Sequence, residues 1–159
     1  MNGLGKVLGV DVGTVRVGLA VSDPERRVAT PLDTLEVRAD ADGQVAALAD
    51  RLATLARTEH CRIVVVGLPR ALSGRDTAST TLARQVGRAL TDRHLAVEFW
   101  DERFSSVEAE RMLVGAGVRR DQRRATRDRV AATIILQGWL DTRPVAESAR
   151  ADDVQGSNG

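Results

Sequence analysis

The chain has a single cysteine, Cys61, and no tyrosine. An internal disulfide is therefore excluded, which suits a reducing compartment. His60 and His94 stand apart in the sequence without ligand-like partners, so a zinc site of the His/Cys kind is not expected. Aromatics are few: Phe99, Trp100, Phe104 and Trp139. The core must be built from Val, Leu, Ile and Ala. No apolar run approaches the roughly 20 residues of a membrane helix. The N-terminus lacks the long apolar region of a signal peptide. The expectation is a soluble, cytoplasmic protein with no membrane partner. Lysine is nearly absent as well. Lys6 is the only one, and the other 22 basic residues are arginines. Arginine forks suit phosphate better than lysine does, although a bias toward Arg and Ala codons explains most of the total.

What is present fits one domain. The 159 residues are 43% hydrophobic and carry a formal net charge of +1, so bulk charge does not announce a nucleic-acid partner. Lys6 to Asp11 reads as a buried strand. Arg16 to Ser22 alternates as a second strand, joined by a short turn. Arg27 to Val37 reads as a third, with Pro31 marking an edge or an irregularity. The period then changes. Val45, Leu48, Leu52 and Leu55 follow helical spacing over 42–59. Arg62 to Gly67 is a continuous apolar strand, Leu82, Val86 and Leu90 mark a helix, and Ala96 to Trp100 is a short strand. Ser105-Ser106-Val107-Glu108 is a capping-box pattern that opens a helix through Leu113. Residues 118–127 read as an arginine-rich loop, and a last helix runs from about Asp128 to Leu140. The pattern predicts an α/β domain over 1–143 and a disordered tail over 144–159. Its sheet has five strands, an antiparallel meander of three plus two parallel strands, flanked by helices.

Ligands of such sheets gather at the carboxyl ends of the parallel strands. Asp11 ends the first strand beside Gly13. Asp101 and Glu102 end the last. Asp128 begins the final helix on the face of Ala131, Ala132 and Ile135. Each has a local explanation: turn former, partner of Arg103, or complement of the helix dipole. Convergence of the three favours a site instead. Carboxylate clusters bind Mg²⁺ or Mn²⁺, and two such ions about 4 Å apart support phosphodiester cleavage. Arg119, Arg120, Arg123 and Arg124 directly precede Asp128 and suit a phosphate backbone.

Four blocks carry a family resemblance. They are Gly9-x-Asp11-x-Gly13-x-x-Arg16-x-Gly18-x-Ala20-x-Ser22-Asp23, then Val66-Gly67-Leu68-Pro69 followed by Gly74, then Asp101-Glu102-Arg103-Phe104-Ser105-Ser106, and Asp128-x-x-Ala131-Ala132-x-Ile134-Ile135-Leu136. In this order they resemble the YqgF family, also called RuvX, from residue 6 to about 141. The resemblance implies an RNase H-like fold related to the Holliday junction resolvase RuvC. It implies a bacterial nuclease that processes the 5′ end of pre-16S rRNA, or one that resolves branched DNA. Carried over, the catalytic and metal-binding acids are Asp11, Glu102 (with Asp101 as its competitor) and Asp128. Arg16 and Arg103 join the four arginines above as substrate contacts. Mg²⁺ or Mn²⁺, two ions, is the implied cofactor. The implied partner is nucleic acid, and the oligomeric state, including a homodimer, stays open. Departures are mild: Ser105-Ser106 stands where many members have threonines, and arginines replace lysines before the last acid.

Two rivals remain. Sugar kinases and actin-like ATPases also open on a strand ending in Asp-x-Gly-Thr, as Asp11 to Thr14 does, but they need two such subdomains. A non-catalytic RNA- or ribosome-binding module would have no use for three acids.

Overall fold

The computed structural model describes residues 4–37, 43–69, 77–102 and 123–142, with backbone alone for 123–128. The elements are β1 (Lys6–Val12), β2 (Arg16–Ser22), β3 (Ala29–Glu36), α1 (Gln44–Thr58), β4 (Cys61–Leu68), α2 (Ala78–Asp92), β5 (Ala96–Asp101) and α3 (Arg123–Thr142). The sheet order is β3-β2-β1-β4-β5. β1, β2 and β3 pair antiparallel, whereas β1–β4 and β4–β5 pair parallel. This is the expected mixed sheet. Pro31 behaves as its position suggests. It lies on the edge strand where the β2–β3 register shifts, and Leu32 is the extra residue. The bulge and the proline blunt that edge. The expected helix over 105–113 and the tail over 144–159 lie outside the described residues.

Alternation divides the core. Leu8, Val10 and Val12 of β1 and Val64 and Val66 of β4 face α1 and α2. Val7 of β1 and Val65 of β4 face the other way, with Ala132, Ile135, Leu136, Trp139 and Leu140 of α3. β4 is thus covered on both faces, which its unbroken valine run demands. Gly9 lets α3 settle on the sheet, since a Cβ there would stand 2.8 Å from the Leu136 Cβ and 3.2 Å from the Ala132 carbonyl.

α3 corrects one expectation. It begins at Arg123, not near Asp128. Arg123, Arg124 and Arg127 belong to its first turns rather than to a loop. A run of polar residues resembles a linker, but arginine and alanine are good helix formers. Asp128 is therefore past the first turn, where a helix-dipole role has largely faded.

Candidate active site

The site is built at the carboxyl ends of β1, β4 and β5. Asp11 lies opposite Gly67 in the parallel β1–β4 register, and Leu68 lies opposite Asp101 in the β4–β5 register. Alternation from Val7 and Gly9 puts Asp11 on the α3 face. Alternation from Trp100, which packs with that same cluster, puts Glu102 there as well. Asp101 follows Phe99 onto the other face.

Gly67 permits the next step. It has no side chain to fill the space between β1 and β5, and a Cβ on it would stand 3.0 Å from Glu102 Cγ and 2.6 Å from Ile135 Cδ1. Glu102 leans across this gap and shares a side-chain hydrogen bond with Asp11. By sequence, Asp101 and Glu102 are competitors. The structure brings Glu102 to Asp11, while Asp101 acts on Glu102 through its charge.

Two half-buried carboxyls in contact cannot both ionise cheaply. Burial is the main cause that pushes the Glu102 carboxyl up, with the Asp11 hydrogen bond and the charges of Asp11 and Asp101 adding to it, to about 10. Burial also raises Asp11, while its hydrogen bond to Glu102 pulls the other way. Glu102 therefore holds the proton and donates to the Asp11 carboxylate. The pair titrates as a unit.

A pH dependence follows for the metal-free protein. Glu102 has an ordinary value of 4.5 and sits near 10 when folded, so the folded state keeps a proton that the unfolded chain has lost. Its contribution to stability is full below about 4.5 and disappears as pH rises toward 10. Glu102→Gln never ionises. In chelator, its melting temperature should gain on that of the wild type as pH climbs from 6 to 9. A gap that stays constant across that range would contradict the shared-proton arrangement.

The other expected residues fall as follows. Arg16 opens β2, where its carbonyl accepts from the Gly13 N–H at 2.9 Å. A Cβ on Gly13 would lie 2.7 Å from that oxygen, which is why the turn needs glycine. Asp11 pairs with Gly18, so Arg16, two residues earlier, shares its face. Arg103, Arg119 and Arg120 lie outside the described residues, as do the side chains of Arg123, Arg124 and Asp128. The backbone still locates residue 128. α3 runs antiparallel to β1: Gln137 accepts from the Ala29 N–H at 2.9 Å, at the level of Val7, and Ala132 and Leu136 lie over Gly9. Advancing about 7 Å from Gly9 to Asp11 means retreating roughly one turn along α3, to the turn that bears Asp128. No cluster of three metal-ligating side chains occurs among the described residues.

Gly67 carries little weight as a sequence motif, because any strand-to-helix loop can hold a glycine. Its signal is position: it is the register partner of Asp11. Cys61, by contrast, is held as a thiol at neutral pH. Burial, followed by the charge of Glu59, pushes its thiol up to about 11.

A strand-end acid pair beneath an antiparallel helix narrows the choice of families, and comparison of the whole sequence decides it. A family model described as RuvX, Holliday junction resolvase, matches residues 5–142. The chain belongs to the RuvX family. Among RuvX relatives, one from Mycolicibacterium smegmatis is 43% identical over 156 residues, covering 97% of this chain and 91% of its own. Another, from Mycobacterium ulcerans, is 44% identical over 152 residues, covering 94% and 86%. Both are named "Putative pre-16S rRNA nuclease". Among solved structures, RuvC of T. thermophilus, in complex with a Holliday junction substrate, superposes with a TM-score of 0.58 at 17% identity. It covers 87% of this chain and 94% of the RuvC chain. That likeness establishes the RNase H-like fold. RuvX membership makes the chain one of a nuclease family. Among its described residues no helix is long and apolar enough to cross a membrane.

Proposed function

We propose that this chain is a metal-dependent nuclease that trims the 5′ end of pre-16S rRNA. The observation that carries the reading is the Asp11–Glu102 pair at the strand ends. Half-buried carboxyls this close are costly, and the chain tolerates them where a divalent cation would use them. The donor set fits such an ion. It is all carboxylate oxygen, with no thiol or imidazole, which suits Mg²⁺ or Mn²⁺.

Asp11 and Glu102 would hold the metal, with Asp128 supplying the third carboxylate from the adjacent turn of α3. When bound, two such ions would lower the pKa of an attacking water and stabilise the leaving oxygen. The chain's own residues do the rest. Glu102 holds a proton in the metal-free protein and would have to give it up before its carboxylate could hold a cation. Gly9 and Gly67 admit α3 and Glu102 close to the sheet and so keep the acids together. Arg16 reaches the same face from β2 and would steady a phosphate. Arg123 and Arg124, on the first turn of α3 at the same edge, and Arg103, Arg119 and Arg120 would extend the phosphate contacts.

A second reading, cleavage of branched DNA, is favoured by the RuvX family description and the RuvC fold. The test is a Mg²⁺-dependent cleavage assay that offers a pre-16S 5′ leader and a four-way DNA junction side by side. Faster cleavage of the leader supports the rRNA reading. Preferential junction cleavage transfers the assignment to branched DNA, and cleavage of neither leaves a binding module.

A further inference from the structure

The acid site needs α3 to lie at the right angle across the sheet, and the packing beneath the helix is a weak guide to that angle. Ala132, Ile135, Leu136, Trp139 and Leu140 cluster with Val7, Ala20, Ala29 and Val65 of the strands. Apolar burial of this kind is non-directional. Gly9 receives Ala132 and Leu136 and gives the helix one close seat in the middle strand of the sheet. A helix seated at one point can still pivot there. Residue 128 stands roughly 6–12 Å beyond that seat, so a pivot of about 10° would move it by about 1–2 Å.

Gln137 supplies a second point of attachment, at the β3 edge. Its Oε1 accepts from the Ala29 N–H at 2.9 Å, and its Nε2 donates to the Arg27 carbonyl at 3.0 Å. The Val28 carbonyl accepts from the Asp23 N–H. By alternation, the Arg27 carbonyl and the Ala29 N–H point the other way, off the edge of the sheet. They are the two groups that a further strand would pair, and one side-chain amide takes both. Asp141, one turn on, accepts from the same Nε2 at 2.9 Å. Two acceptors therefore face the amide nitrogen and one donor faces the oxygen, an arrangement that suits glutamine and neither glutamate nor leucine. The next residue turns to the opposite edge. A Cβ on Gly138 would stand 3.2 Å from Trp100 Cζ2 of β5. Adjacent residues thus brace α3 against the two outermost strands.

We propose that Gln137 is a positioning residue for the metal site: by fixing how α3 lies against the β3 edge, it sets where Asp128 stands relative to Asp11 and Glu102. It acts through the helix, from nine residues and roughly 14 Å away. Functional side chains must be held within about 0.5 Å of their working geometry, and a misplacement of about 1 Å is enough to cost a hundredfold. The proposal rests on the nuclease reading, in which Asp128 helps to hold the cation.

The test uses the full chain and two substitutions, Gln137→Leu and Gln137→Glu, each made in wild type and in Asp128→Asn. Melting curves in chelator confirm that every protein folds. Hydrogen exchange at the Ala29 amide reads the contact, and calorimetric titration of Mn²⁺ reads the site. Gln137→Leu should speed exchange at Ala29 and weaken Mn²⁺ binding about tenfold. Gln137→Glu should weaken Mn²⁺ binding to a similar extent, because glutamate keeps the acceptor and loses the donor. In Asp128→Asn neither substitution should weaken binding further, since the ligand that Gln137 positions is already gone. A brace for stability alone would lower melting equally in both backgrounds and leave Mn²⁺ affinity at the wild-type value. That result, or unchanged exchange at Ala29, overturns the proposal and leaves the nuclease reading standing. A further loss of affinity in Asp128→Asn, equal to that in wild type, also overturns it, because Gln137 then acts on the site by another route. If wild type itself does not bind Mn²⁺, the proposal falls together with the metal-dependent reading.

Discussion

Asp11→Asn should reduce metal-dependent cleavage by about three orders of magnitude or more while leaving the fold intact. Residues that act as a unit show effects on that scale when one is removed. Asparagine has nearly the shape of aspartate and can still hydrogen-bond to Glu102, so the strand end need not move. What disappears is the charge. Asp11 sits where burial already disfavours its ionised form, so the substitution also removes a cost that the metal-free protein bears. The variant should therefore melt no lower than wild type in chelator. Cleavage rates and melting curves from one preparation check both halves. A variant that cuts at the wild-type rate would remove Asp11 from the chemistry.

Asp128→Asn should be nearly as severe, and its metal dependence should distinguish a ligand from a bystander. α3 starts at Arg123, so residue 128 is in its second turn. A dipole partner there would be worth less than the roughly 0.3–1 kcal/mol found in a first turn, and its loss would leave turnover unchanged. A ligand behaves otherwise. Turnover should fall by about a hundredfold or more at low Mg²⁺ and recover in part as Mg²⁺ is raised. Stability without metal should hold or rise, because one of several crowded carboxylates is gone. Normal cleavage at every Mg²⁺ concentration would leave the site short of a ligand.

Much of the fold is legible in the chain itself. The strands can be read because β1, β2 and β4 are apolar runs bounded by Gly, Pro and Asp, and Pro31 identifies the irregular edge. Asp11 stands out because an acid ending such a run is poor core design. Other features depend on distances that no local pattern carries. The choice between Asp101 and Glu102 needs the parity of β5 against α3, since both acids end the same strand. Gly67 matters through its register with Asp11, which sequence spacing cannot supply. The start of α3 is easily misplaced because a polar run reads as loop, although arginine favours helix.

The central claim is that Asp11 and Glu102 together form a seat for a divalent cation. Calorimetric titration of Mn²⁺ into wild type, Asp11→Asn and Glu102→Gln, in two buffers of different ionisation heat, tests it most directly. Wild type should bind Mn²⁺ and release a proton as it does so, since Glu102 must deprotonate to become a ligand. Each variant should bind at least about tenfold more weakly. Mn²⁺ binding of equal strength in all three proteins, without proton release, would contradict the account.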